Sequence, residues 1–120
     1  MKILLVDDME SIRNLYKLIL GTSKYEFFEA ENGLEAYNIC VKEKPDLIFS
    51  DFDMPEYDGA WLDERLFNEG KKIPIVLVTS TYRDIFKEML KRNTVKILYK
   101  PFSINELNDV LDRIKNRKNG

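Results

Sequence analysis

Four short runs, Ile3 to Val6, Asp46 to Ser50, Ile75 to Thr79 and Val95 to Tyr99, are apolar without the strict alternation of a half-exposed strand. Strands of that kind need cover on both faces, which is the condition of a parallel sheet held between two layers of helix. A fifth run, Tyr25 to Ala30, is more polar and suits an edge. Helical stripes separate the runs: Ile12, Leu15, Tyr16 and Ile19; Leu34, Tyr37 and Val41; Leu62 and Leu66; Tyr82, Ile85, Phe86 and Met89; and Ile104, Leu107, Leu111 and Ile114. Ser103 and Glu106 have capping-box spacing ahead of the last stripe, and Pro45, Gly70 and Pro74 punctuate the connections. Strands alternating with helices through short links predict a doubly wound α/β fold. At 120 residues, the chain has room for one such domain, residues 1–120, with a frayed tail over the last few.

Composition narrows the function. Hydrophobic residues make up 44% and charged residues 33%, unlike a disordered chain. The 19 basic and 21 acidic residues give a net charge of −2, which argues against direct nucleic-acid binding by the domain as a whole. Arg113, Lys115, Arg117 and Lys118 read as the basic end of a solvated helix. The apolar stretch after Met1-Lys2 is too short for a signal peptide or a membrane span, so the expectation is a cytoplasmic protein without a membrane partner. Cys40, the single cysteine, falls among apolar residues and reads as a buried structural thiol. Trp61 and Phe67 read as core residues. There is no histidine, which removes Ser-His-Asp triads and imidazole metal sites together.

Ligands of an open parallel sheet bind beyond the carboxyl ends of its strands. In this chain those ends carry Asp7 and Asp8, then Asp51 with Asp53, then Thr79 and Ser80, and finally Lys100-Pro101. Ionised carboxylates brought together in a cleft repel one another, so their pKa values rise or cations gather. An all-oxygen donor set suits Mg²⁺, with Mn²⁺ or Ca²⁺ as substitutes. Lys100 can hold a phosphate oxygen as a point charge, and the Thr79 hydroxyl can donate to another. A remaining carboxylate is free to attack phosphorus and form an acyl phosphate. Against this stands the ordinary use of aspartates: Asp8 as a cap for the first helix, and Asp58-Gly59 as a turn.

The ordered set Val6-Asp7-Asp8, Asp51-Phe52-Asp53-Met54-Pro55, Asp58-Gly59, Thr79 and Lys100-Pro101-Phe102 resembles the CheY-like receiver domain of two-component response regulators. The resemblance runs from about Lys2 to Arg117. It implies a flavodoxin-like five-stranded parallel sheet of order 2-1-3-4-5 with five helices. It also implies that Asp51 is the phosphoacceptor, that Asp7 and Asp8 position Mg²⁺, and that the backbone carbonyl of Asp53 completes the metal shell. Thr79 matches the switch hydroxyl, Lys100 the family's lysine, and the bond before Pro101 is expected to be cis. The implied donor is a phosphohistidine on a sensor histidine kinase or a phosphotransfer protein. The implied output is a switched surface for a downstream protein, the chain catalysing its own phosphorylation and dephosphorylation rather than acting as an enzyme on others. Monomer and phosphorylation-dependent homodimer both stay open.

The sequence departs from that pattern at several points. Ile97 stands where the family usually has its switch aromatic; Tyr99 is on the same face, but is expected to be packed. Asn93-Thr94 replaces the usual Gly-Ala turn, and Ser80 a small apolar residue. The Asp53 carboxylate adds charge beside the acceptor and is expected to alter the lifetime of an acyl phosphate. Two other readings compete: a pseudo-receiver that only binds protein, and a haloacid dehalogenase-type phosphatase built on Asp51-x-Asp53. The second lacks a cap, and its motif would belong to the first strand.

Overall fold

The apolar runs form five parallel strands in the computed structural model, which describes residues 1–119, with side chains to Asn116; of the tail expected to fray, Gly120 lies outside the described residues. The strands are β1 (Lys2–Val6), β2 (Glu26–Ala30), β3 (Leu47–Asp51), β4 (Ile75–Thr79) and β5 (Thr94–Tyr99). Their order is β2-β1-β3-β4-β5, with β2 and β5 at the edges. Ile3 pairs with both Phe27 and Leu47, and Ile48 pairs with Ile75, so β1, β3 and β4 are saturated on both sides. This is the doubly wound fold that the strand pattern predicts, in the flavodoxin-like strand order that the family resemblance implies.

Alternate residues of each strand serve opposite layers. Ile3, Leu5, Leu47, Phe49, Val76 and Val78 meet α1 (Glu10–Leu20) and α5 (Ile104–Asn119) through Tyr16, Leu20, Leu107, Leu111 and Ile114. Leu4, Val6, Ile48 and Ile75 meet α2 (Gly33–Glu43) and α3 (Gly59–Asn68) through Ala36, Cys40, Leu62 and Leu66. Leu77 joins Phe52, Phe86 and Met89 in a smaller cluster under α4 (Phe86–Met89). The Ser103–Glu106 capping box forms at the start of α5, each residue's backbone N–H donating to the other's side chain. Cys40 is buried, which pushes its thiol up to about 12.

Several helix faces differ from the apolar stripes. The buried face of α1 is Arg13, Tyr16 and Leu20, leaving Leu15 and Leu18 exposed. That of α2 is Gly33, Ala36 and Cys40, leaving Leu34 and Val41 exposed. Close packing of α2 favours its small residues over its large ones. Phe67 is 49% exposed and is not a core residue, whereas Trp61 is half-buried between Tyr37 and Tyr57. Tyr99, expected to be packed, is 43% exposed. The fourth helix is a single turn, because the hydrogen bonds on either side (Phe86 to Arg83, Arg92 to Met89) span three residues rather than four.

The unexpected Asn93-Thr94 corner is organised from α3. Asp63, fully buried, accepts from Asn93 N at 3.1 Å, Thr94 N at 2.9 Å and Thr94 Oγ1 at 3.0 Å. Arg92 Nε approaches its other oxygen at 2.8 Å, as an ionic contact rather than an aligned hydrogen bond. This one carboxylate does the work of a tight turn and starts β5 beside a register shift in the β4–β5 ladder. Asp63→Ala strands three donors and a cation, so thermal unfolding should show a loss of about 3 kcal/mol. Asp63→Asn keeps an acceptor for the backbone and should lose less; equal losses would refute the account.

Candidate functional site

The strand ends bring the acidic residues together. Asp7 follows β1, and its N–H still pairs with Ala30 O at 3.1 Å, which fixes the backbone one residue beyond the strand. Its carbonyl accepts from Arg13 Nη1 at 2.6 Å, and its Oδ1 accepts from Met9 N at 2.9 Å, turning the carboxylate inward. Arg13 is itself held by Glu29 at 2.9 Å, with Lys17 as a second partner of Glu29 at 2.7 Å. Asp8 is exposed beside Asp7 and does not cap α1; Met9 occupies that position without a side-chain hydrogen bond.

Asp51 is the last residue of β3, at the centre of the sheet. Ser50 Oγ donates to its carbonyl at 2.9 Å, and Phe52 N reaches Val78 O at 3.0 Å, so the loop leaves the strand in a fixed direction. Asp58 then caps α3 by accepting from Trp61 N at 2.9 Å, beyond the simple turn considered for it. Gly59 lets the start of α3 pack closely on β4: a Cβ there would sit 2.7 Å from Leu77 Cδ1, so that side chain would have to shift.

Oxygens of Asp7, Asp8 and Asp51 all lie within 4.8 Å of one another, a group that could hold a metal ion. The Asp51 side chain is 11% exposed, and Lys100 Nζ is 3.8 Å from its Oδ1. Lys100 arrives from the end of β5, its N–H donating to Thr79 O at 2.8 Å, and the Lys100–Pro101 bond is cis. Burial raises the pKa of Asp51, opposed mainly by Lys100 and reinforced by Asp7. Burial likewise raises Asp7, opposed by the Met9 N–H and Lys100. Tyr16, buried between Phe49 and Phe102, is raised by burial and by the charges of Asp7 and Asp51. The donor set is hard oxygen in a desolvated cleft with net negative charge, which fits Mg²⁺.

Two candidates stand differently from the rest. The Thr79 hydroxyl is fully buried and turned into its own loop, donating to Thr81 O at 3.1 Å and accepting from Thr81 N at 3.4 Å. The Asp53 side chain lies outside the carboxylate group and pairs with Arg83 at 3.7 Å, while its N–H donates to Asp51 Oδ1 at 3.4 Å. Sequence reasoning missed Arg13 and Arg83. Arg13 carries no signal in a hydropathy pattern, and Arg83 lies in a segment read only for its apolar stripe. A cavity of about 270 Å³ edged by Phe67, Lys71, Pro74 and Arg92 lies at the opposite ends of the strands, away from every candidate.

Because the native state holds the Asp7 proton more tightly than the unfolded chain, stability of the ion-free domain falls as pH rises from about 3.9 through the raised value. Asp7→Asn should therefore raise Tm by a few degrees at neutral pH without divalent ions, a gain that vanishes at acid pH. The same substitution should abolish the further stabilisation that Mg²⁺ gives the native domain. A Tm lowered at neutral pH would contradict this electrostatic reading.

The model of the response regulator receiver domain matches residues 3–112. The chain is 33% identical over 113 residues to sporulation initiation phosphotransferase F of Bacillus subtilis, spanning 93% of this chain and 91% of that one. It is 34% identical to the transcriptional regulatory protein SrrA of Staphylococcus aureus over 88% of its own length, but spans only 44% of SrrA. Among solved structures it resembles the receiver domain of the Francisella response regulator 1452 (TM-score 0.86, 28% identity, 98% of each chain). A two-component response regulator from Clostridium difficile is similar, with a TM-score of 0.87 and 27% identity over 99% of this chain and 98% of that one. The chain belongs to the response regulator receiver domain family.

Proposed function

We propose that the chain is a single receiver unit whose Asp51 accepts a phosphoryl group from a phosphohistidine, with Mg²⁺ held by Asp7, Asp8, Asp51 and the Asp53 backbone carbonyl. The observation that carries this is the meeting of three carboxylates with Lys100 at the ends of β1, β3 and β5. No step needs a general base: ionised Asp51 attacks phosphorus, the P–N bond breaks, and its electron pair stays on the imidazole nitrogen. A ring protonated on its other nitrogen then leaves neutral. Bound Mg²⁺ would neutralise the phosphoryl oxygens and the acid cluster. Lys100, already on Asp51, would hold one transferred oxygen. The Thr79 hydroxyl would give up the Thr81 carbonyl for another, moving the start of the β4–α4 loop.

The partner in this reading is a sensor histidine kinase or a phosphotransfer protein. Beyond the acid pair, α1 carries solvent-exposed Leu15 and Leu18, apolar side chains suited to contact with a helical donor. The net charge of −2 supports a protein partner rather than nucleic acid. No helix among the described residues is long and apolar enough to cross a membrane, in keeping with action in the cytoplasm. Asp51 ends the third strand rather than the first, and this favours the receiver over the phosphatase.

The test is intact mass after incubation with a small phosphodonor and Mg²⁺. One phosphoryl adduct is expected, lost on omission of Mg²⁺ or in Asp51→Asn. No adduct despite Mg²⁺ binding would favour a protein-binding pseudo-receiver, and repeated donor hydrolysis would favour a phosphatase. Asp53→Asn, which removes a carboxylate two residues from the acceptor, should change the adduct's decay rate severalfold; an unchanged rate would show that Asp53 acts through its backbone alone.

A further inference from the structure

Arg83 stands at the rim of this site with no part in the chemistry above. Its Nη2 lies 3.7 Å from Asp53 Oδ1, and its guanidinium carbon lies 6.0 Å from the centre of the Phe52 ring. It therefore overlies both residues that follow Asp51. The pair is more than half exposed on both sides, and an exposed pair of that length holds weakly. Asp53 in turn presents its N–H to Asp51 Oδ1.

The same arginine belongs to the other end of the β4–α4 loop. Its carbonyl accepts from Phe86 N at 3.0 Å, tying it to the single turn of α4. Phe86 meets Phe52 edge-on at 5.0 Å and 84°, and Tyr82 packs on Phe86 at 6.0 Å. One side chain thus joins the Asp51-Phe52-Asp53 corner to α4.

A phosphoryl group on Asp51 would bring about two negative charges and three acceptor oxygens beside a guanidinium now held by one carboxylate. Arginine engages such oxygens through a planar fork with charge-assisted hydrogen bonds, a stronger arrangement than the existing contact. We propose that Arg83 is a positioning residue of the switch, exchanging Asp53 for the phosphoryl oxygens on Asp51 and drawing the first turn of α4 with it. Asp53 is then the competing carboxylate that holds Arg83 in reserve. This inference rests on Asp51 being the phosphoacceptor.

The experiment titrates the full chain, with Mg²⁺ present, with beryllium trifluoride as the phosphoryl mimic. Affinity and the amide chemical-shift changes of residues 81–90 are read together. In the parent chain the mimic should shift those amides; in Arg83→Gln the shifts should collapse and affinity should fall severalfold, with Arg83→Lys between the two. A residue that only neutralised Asp53 would give the same loss, so Arg83→Gln is repeated on an Asp53→Asn background. The loss should persist there, because the phosphoryl contact needs no carboxylate at Asp53. If Arg83→Gln has no effect on that background, or none on the parent, the inference is overturned while the acceptor reading stands. If the parent chain binds no mimic and takes no phosphoryl adduct, the acceptor reading and this inference fail together.

Discussion

Three carboxylates whose oxygens lie within 4.8 Å of one another set the terms for the rest of the molecule. Two of them, Asp7 and Asp51, are largely withdrawn from water, and their raised pKa values record the electrostatic cost. A fold built only for stability would replace one of them with an apolar residue. Under the proposed function that cost is offset when a cation and a transferred phosphoryl group enter the cleft, because Lys100 supplies one positive charge at 3.8 Å. Without a cation the cluster carries that cost itself, and the remainder of the domain has to hold it open.

It does so through polar anchors, some beside the cleft and one at the far end of β5. Arg13 fixes the Asp7 carbonyl at 2.6 Å and is backed by Glu29, whose carboxylate is held below its ordinary range chiefly by Lys17. Gly59 and Asp58 bring the start of α3 against β3 and β4. Asp63 ties α3 to the beginning of β5, the strand that delivers Lys100. These anchors act on backbone groups, so the position of each acidic side chain follows from the course of the chain rather than from contacts among the acids themselves.

What was legible in the sequence follows the same division. The strands could be read because burial on both faces leaves an uninterrupted apolar run, and the site could be read because topology alone places strand ends together. Helix faces were read less well. In α2 the residues in the core cluster with the strands are Ala36 and Cys40, while the larger Leu34 and Val41 face water, so much of the stripe of greatest hydropathy points away from the contact. In α4 the apolar spacing from Tyr82 to Met89 is real, but only Phe86 and Met89 are buried, and three-residue hydrogen bonds end the helix on both sides. Asp63 and Arg13 carry charges in buried positions, where pattern reasoning expects solvent. Their partners include backbone atoms, the Asp7 carbonyl for Arg13 and the Asn93 and Thr94 N–H groups for Asp63, and a sequence does not display those.

Ile97 bears on how a change at Asp51 could travel. Packed against Phe52, Leu77, Phe86 and Met89, it seals the gap between β5 and α4 with aliphatic volume where the family usually places an aromatic able to swing. The aromatic contact in this chain is instead Phe52 on Phe86, and Phe52 is the neighbour of Asp51 in the chain itself. Under the proposed function, a displacement of the Asp51 corner would reach α4 through this ring pair and Arg83, without crossing β5. α4 itself is a single turn flanked by three-residue hydrogen bonds, with Phe86 and Met89 buried beneath it. With an aliphatic side chain at position 97, the aromatic contact on this face lies in the segment that follows Asp51 rather than on β5.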